Sequence, residues 1–308
     1  MFNLPSPIQK INHPLFKQKG LEFYIKRDDL IHQDISGNKW RKLKFNIEKL
    51  KANKYDGLLT FGGAYSNHIA ATAATGKLLN VKTIGIIRGD ELTPQSNLTL
   101  QKAHQNGMQL VFVNRSKYAE RYERLYHQEL RAEFGNVLIV EEGGANYYGM
   151  IGCGEILKEI DFTPDYIYSA SGTGTTVAGL ISSSDTTKIV SVPVFKNGDF
   201  IKDEIKNLLK HFFLDKEIFD AKMNLLSLNL NSHFGGYGKF NTELIDFINQ
   251  FYELTNIKLD QIYTGKMMHA LMSDVKQNKF KQGDKIVALH TGGLQGLSSI
   301  TNQLKFSL

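Results

Sequence analysis

Short apolar runs that end in glycine-rich turns, each followed by a helical stretch, recur along this chain of 308 residues. DGLLTFGG at 56–63 leads into AYSNHIAATAATGKLL, and VKTIGIIRG at 81–89 leads into NLTLQKAHQNG. MQLVFVNR at 108–115 precedes a long polar helix expected over 118–134, and NVLIVEEGG at 136–144 is a fourth run of this kind. The pattern resumes in DYIYSASGTGTTVAGLI at 165–181, TTKIVSVPVF at 186–195 and KIVALHTGGLQG at 285–296. Strands alternating with helices pair in parallel, because a crossover helix is what joins parallel neighbours. The fold class is therefore α/β, with mostly parallel sheets flanked by helices. Ligands in such folds settle beyond the carboxyl ends of the strands, where these glycine turns fall.

The flanking segments fit the same scheme. LEFYIKRDD at 21–29 reads as a strand ending in charge, and LIHQDISGN at 30–38 as a polar turn. Asn38 or Ser36 caps a helix that begins near Lys39, with Trp40, Leu43, Ile47 and Leu50 on its apolar face. Helical and polar segments fill the chain to about Gln261, and a further helix covers 268–280.

Composition excludes several classes. The chain is 42% hydrophobic and 22% charged with only 6 prolines, so it is globular rather than disordered. The net charge of +6 comes from lysines spread along the whole length, which marks a solvated face and no nucleic-acid partner. MFNLPSPIQK carries no secretion signal, and no window approaches 18 apolar residues, so neither export nor a membrane partner is expected, and the expected location is cytoplasmic. A single cysteine, Cys153, rules out an intrachain disulfide and reads as a packed small side chain. No metal-ligand spacing and no GxSxG element is present, so a metal site and a serine hydrolase are not expected.

The residues that carry chemistry cluster after strands. In residues 171–176, SGTGTT, glycines let backbone N–H groups converge ahead of a helix start. Ser171, Thr173, Thr175 and Thr176 add hydroxyls suited to phosphate oxygens. A tight turn without a ligand remains the plainer alternative. Neither the triphosphatase loop nor the dinucleotide GxGxxG spacing is met. Lys39 sits where a helix dipole lowers an amine's pKa, as carbonyl chemistry requires; Lys42 and Lys44 read as surface residues. Tyr65, Ser66, Asn67 and His68 follow another glycine turn, and His68 is open between a base and a core histidine. Tyr237 in GGYG and Tyr263 in YTGK stand beside glycine turns that allow close approach to a ligand.

RDDL at 27–30 with SGNKWRKL at 36–43, YSNH at 65–68 and YTGKMM at 263–268 together resemble one family. It is that of 1-aminocyclopropane-1-carboxylate deaminase and D-cysteine desulfhydrase, pyridoxal-phosphate enzymes with the tryptophan synthase β-subunit fold (fold type II). The resemblance spans about residues 5–300. It implies pyridoxal 5'-phosphate bound covalently to Lys39, its phosphate on Gly172, Thr173, Gly174, Thr175 and Thr176, and its phenolic oxygen on Asn67. It implies Ser66 at the substrate carboxylate or in proton transfer, and Tyr65, Asn67 and His68 around the substrate. Tyr237 and Tyr263 become active-site tyrosines, and Thr264 faces the ring nitrogen. Two domains follow, a small one over 50–159 inserted in a large one built from 1–49 and 160–308, in a homodimer.

Cyclopropane deaminases resemble one another in having glutamate where Thr264 stands, whereas desulfhydrase-like members have threonine. A carboxylate supports a protonated ring and a stronger electron sink; threonine leaves the nitrogen neutral. The resemblance thus implies elimination from a small amino acid, D-cysteine first, to pyruvate, sulfide and ammonia. Ring-opening deamination, elimination from D-serine or a related amino acid, and a non-catalytic protein on this fold are the rivals. The chain departs from many relatives at Tyr65, where they have glutamine, at Thr173-Gly174-Thr175, where they have Ser-Gly-Gly, and in its shorter length.

Overall fold

The computed structural model describes residues 2–35 and 37–307. In chain order its elements are β1 (Ile8–Lys10), α1 (Pro14–Gln18), β2 (Glu22–Lys26), α2 (Asn38–Ala52), β3 (Gly57–Gly63), α3 (Asn67–Leu79), β4 (Lys82–Arg88) and α4 (Leu98–Gln105). There follow β5 (Gln109–Val113), α5 (Arg115–Ala119), α6 (Arg124–Phe134), β6 (Val137–Val140) and α7 (Tyr147–Lys158). The remainder comprises β7 (Tyr166–Ser171), α8 (Thr175–Ser183), β8 (Lys188–Pro193), α9 (Ile201–Lys210), α10 (Lys216–Met223), β9 (Leu226–Leu228), α11 (Thr242–Thr255), α12 (Thr264–Lys276) and β10 (Lys285–Leu289). No helix among the described residues is long and apolar enough to cross a membrane.

Contacts divide the chain into two compact units, one of residues 1–32, 36–38 and 153–308, the other of residues 33–35 and 39–152. The boundaries expected from the sequence fall at 49/50 and 159/160; the long segments of the two units part at 38/39 and at 152/153, inside α2 and α7.

The larger unit is built on a six-stranded sheet in the order β1-β2-β10-β7-β8-β9. Only β1 runs antiparallel to its neighbour. Its core gathers Phe23 and Ile25 of β2, Tyr168 of β7, Val190 and Val192 of β8, Leu244, Ile248 and Phe251 of α11, and Met267, Met268 and Leu271 of α12. Burying that much apolar surface is the main favourable term holding the unit together.

The smaller unit is a four-stranded parallel sheet in the order β5-β4-β3-β6. Alternate residues of each strand face opposite sides. Leu59, Phe61, Ile84 and Ile86 pack with Tyr118, Tyr126 and Leu130, while Ile87 packs with Ile69, Ala73, Leu100 and Met108. Both faces are covered, which is why these strands read as unbroken apolar runs.

Two expectations change. The helix expected over 118–134 is broken: α5 ends at Ala119, a 3-10 turn follows, and Glu123 is extended (φ −78°, ψ 133°) before α6. The His127 ring donates to the Arg121 carbonyl at 2.8 Å, a partner from outside the helical ladder. Second, the segment after β10 continues as a 3-10 helix over Leu294–Ser299 rather than a regular α-helix. Asn38 is the first residue of α2; Ser36, the other candidate cap, lies outside the described residues.

Candidate active site

In the larger unit, β7 ends at Ser171 and the chain turns through residues 172–174 into α8. Gly174 has φ +72°, and a Cβ there would stand 2.8 Å from Ile205 Cγ1, so two separate constraints select glycine. A Cβ on Gly172 would stand 3.4 Å from Tyr263 Cε1, which marks how closely that backbone passes the ring. Thr173 and Thr175 hydroxyls are 2.9 Å apart, and Ser171 and Ser191 hydroxyls 2.7 Å apart. The first N–H groups of α8 have no carbonyl of their own helix to meet and carry its partial positive charge. Hydroxyls, glycine backbone and helix start, with no acidic side chain in 171–176, suit a phosphate group.

The same helix start fixes what precedes Lys39. Asn38 Nδ2 donates to Thr176 Oγ1 at 2.8 Å, and Asn38 N donates to the Thr291 carbonyl at 3.3 Å. Gly37 has φ +66°, and a Cβ on it would lie 1.7 Å from that carbonyl oxygen, so no other residue fits. His290 shapes this turn: Nε2 donates to the Lys258 carbonyl at 2.7 Å, and Gly292 N donates to Nδ1 at 3.2 Å. Residues Gly37 and Asn38 are thus held by backbone and side chain together. Cys153 is fully buried with Sγ 3.9 Å from Thr176 Oγ1, a packed side chain.

Thr264 opens α12 and is wholly buried. Its hydroxyl donates to Asp260 Oδ1 at 2.6 Å and accepts from Asp260 N at 2.8 Å. Asp260 Oδ1 also accepts from Thr264 N, and Oδ2 from Ile262 N and Tyr263 N, so the carboxylate is saturated by the helix start it caps. Tyr263 meets Tyr237 edge-on at 6.3 Å, and Tyr237 stacks on Phe195 at 5.5 Å.

In the smaller unit, Lys39 is the second residue of α2 and half-buried. Lys42, read from the sequence as a surface residue, is instead buried at 3% exposure; its Nζ donates to the Gly143 carbonyl at 3.1 Å, which recovers part of the cost of taking an ammonium out of water. Ser66 is the N-cap of α3, with Oγ accepting from Ile69 N at 3.3 Å and its own proton left to give. Asn67 is half-buried at the first helical position, while Tyr65 is 70% exposed. His68 is buried. The Thr60 hydroxyl donates to the Val140 carbonyl at 2.7 Å, so it accepts from His68 Nε2 at 3.0 Å. That fixes the Nε2–H tautomer and leaves Nδ1 as a buried lone pair with no hydrogen-bond donor among the described residues. Burial, reinforced by the amines of Lys39 and Lys42, holds this ring neutral, well below the usual histidine range.

The expected residues therefore group as Thr173, Gly174, Thr175, Thr176, Gly172, Tyr237, Tyr263 and Thr264 in one unit, and Lys39, Tyr65, Ser66, Asn67 and His68 in the other. Sequence reasoning missed Asn38 as the link to Thr176, Asp260 as the cap of Thr264, and Phe195 beneath Tyr237. Only Asp260 left a signal, an acid four residues ahead of a threonine at a helix start.

The sequence model of the family described as pyridoxal-phosphate dependent enzymes matches residues 2–292. The chain belongs to this family, in its branch of 1-aminocyclopropane-1-carboxylate deaminase and D-cysteine desulfhydrase-like enzymes with the tryptophan synthase β-like fold, and its cofactor is pyridoxal phosphate. It is 29% identical to a putative 1-aminocyclopropane-1-carboxylate deaminase of Pyrococcus abyssi, across 95% of this chain and 90% of that one. It is also 29% identical to the mitochondrial bifunctional D-cysteine desulfhydrase/1-aminocyclopropane-1-carboxylate deaminase of Arabidopsis thaliana, across 98% and 79%. Among solved structures it is similar to that of an ACC deaminase homologue, with a TM-score of 0.80 and 25% identity over 98% and 95% of the two chains.

Proposed function

We propose that this enzyme eliminates a β-leaving group from a small amino acid, D-cysteine foremost, yielding pyruvate, sulfide and ammonia. The observation that carries the choice of reaction is the buried Thr264, an uncharged side chain beside an Asp260 whose two oxygens are both taken by the helix start. A ring nitrogen facing Thr264 would meet no free carboxylate to stabilise its protonated form. Pyridoxal phosphate, when bound, supplies an electron sink for negative charge at the substrate's α-carbon. With an unprotonated ring that sink is modest. It suits a thiol that leaves readily better than the breaking of a carbon–carbon bond.

Each residue then has a task. Lys39 would hold the cofactor through its amine and, once the substrate's amine has displaced it, its freed Nζ would take the α-proton. Residues 172–176 and the start of α8 bind the phosphate. Asn67 offers its amide to the cofactor's phenolic oxygen. Ser66 gives its remaining proton to the substrate carboxylate at the start of α3, where the helix dipole favours an anion. His68, neutral, presents the Nδ1 lone pair as an acceptor, and Tyr65 borders the substrate. Tyr237 and Tyr263 hold hydroxyls for the leaving group. The cytoplasmic homodimer expected of such an enzyme is open to sedimentation of the holoprotein.

Ring opening of 1-aminocyclopropane-1-carboxylate is the second reading, favoured by the two reactions named for the Arabidopsis relative. Purified holoprotein offered D-cysteine, D-serine and 1-aminocyclopropane-1-carboxylate in parallel separates them. Sulfide and pyruvate in equal amounts, with kcat/KM highest for D-cysteine, is the expected result. Release of 2-oxobutanoate from the cyclopropane at a higher kcat/KM would replace the proposal with ring opening.

A further inference from the structure

Lys266, the third residue of α12, has no exposed surface. Lysine is almost never buried this fully unless it is paired. No carboxylate lies within ion-pair distance of it among the described residues; both oxygens of nearby Asp260 are committed to the helix start. Its Nζ donates instead to two backbone carbonyls, those of His233 at 2.8 Å and Gly236 at 2.7 Å. Burial pushes this ammonium down to about 8, against the pull of the Asp260 charge. A methionine would fill the same space without that cost, so packing alone does not explain a lysine here.

The two carbonyls belong to a turn with little structure of its own. Phe234, Gly235, Gly236 and Gly238 all have positive φ, and the turn's internal bonds are few: Gly236 N to His233 O at 3.0 Å, Lys239 N to Gly236 O at 3.1 Å, and Gly235 N to His233 Nδ1 at 3.0 Å. Glycines so placed carry a high conformational entropy that something outside the turn must offset. The turn presents Tyr237, which is 48% exposed and meets Phe195 and Tyr263 through ring faces and edges.

We infer that Lys266 is a positioning residue: its ammonium fastens the glycine turn 233–238 to α12 and so sets the Tyr237 ring against Tyr263. Tyr263 lies three residues before Lys266, so one helix end places both tyrosines. That this matters for the reaction rests on the proposed function, in which both rings border the substrate; the fastening itself does not.

Lys266→Met keeps the volume and removes the three donors. Deuterium uptake of the holoprotein, followed by mass spectrometry, should rise at least tenfold in rate over residues 231–240 and stay at the parent value over residues 267–276. Lys266→Arg, which keeps charge and donors, should restore most of the protection. KM for the amino acid that the parent turns over should rise several-fold in Lys266→Met, with pyridoxal phosphate affinity unchanged. If Lys266→Met does not fold, Lys266→Gln, with two N–H donors and no charge, should give an intermediate uptake rate. Parent-like uptake over 231–240 in a folded Met or Gln variant overturns the inference. Faster uptake with unchanged kcat and KM upholds the fastening and removes Tyr237 from the catalytic site.

Discussion

Thr264 has one proton to give, and Asp260 takes it. The Thr264→Glu variant replaces that donor with a carboxyl beside a carboxylate that keeps only its three backbone donors. Two carboxylates so close do not both ionise readily. The cofactor-free variant should be destabilised by about 1–3 kcal/mol, the cost of disturbing a buried charged hydrogen bond. Loading with pyridoxal phosphate should recover part of that loss if a ring nitrogen faces position 264, because a cationic partner relieves the repulsion. Melting temperatures of parent and variant, each with and without cofactor, measure this. An equal shift on loading in both proteins would remove the ring from Thr264 and with it the physical case for elimination over ring opening. Lys39→Ala tests the other end of the chemistry. Turnover should fall at least about a hundredfold, the lower range for a positioned proton acceptor, and borohydride should no longer fix the cofactor to the chain. Reduction that labels a different lysine would show that Lys39 is not the attachment point.

At the scale of elements, the start of α8 joins backbone conformation to binding. Gly174→Ala meets both a positive φ and a contact with Ile205 at 2.8 Å. The expected cost is about 1–3 kcal/mol, from left-handed strain and local overpacking, with weaker retention of pyridoxal phosphate in equilibrium dialysis. Undiminished retention in a destabilised protein would separate the turn from the phosphate. Strand–helix alternation made the two mostly parallel sheets legible, since β3, β4, β6 and β7 are buried on both faces and read as apolar runs. The turns at 62–66 and 171–176 were equally readable, because glycine and hydroxyl residues there have few other uses. What could not be read was anything fixed by partners distant in sequence. Lys42 and Lys266 look solvated in the sequence, and only the carbonyls of Gly143, His233 and Gly236 explain their burial. Asn38 looks like a cap, while its amide is spent on Thr176, 138 residues away. The break at Glu123 was hidden for a different reason: polar helical propensity continues across it, and the local contact of His127 with the Arg121 carbonyl that accompanies it leaves no periodic signal.

For the whole molecule, the formal charge of +6 leaves histidine protonation to govern behaviour in mild acid. Its nine histidines would add nine positive charges as pH falls, and self-repulsion then opposes the folded state. His68, His13 and His269 all sit below the usual histidine value of 6.5, each chiefly through burial. A histidine whose folded pKa is depressed binds fewer protons folded than unfolded, so stability is fully present above about 6.5 and declines as pH drops toward the folded value. His68 should dominate, being the deepest and having the Lys39 and Lys42 amines as additional opponents of protonation. Thermal melts of cofactor-free protein between about pH 7 and pH 5 should therefore fall steeply with acid. In His68→Gln the side-chain amide can still donate to Thr60, but the site no longer titrates. Its melting temperature should fall less over the same interval, while His13 and His269 contribute alike to both proteins and cancel in the comparison. The variant's loss at pH 7 should stay within about 1–2 kcal/mol, since one buried hydrogen bond is remade rather than lost. Parallel slopes for parent and variant would mean that His68 accepts a proton in the folded protein as easily as in the unfolded chain. Nδ1 would then take up a proton as pH falls through about 6.5, and the acceptor role proposed for it toward the substrate would fail in mild acid.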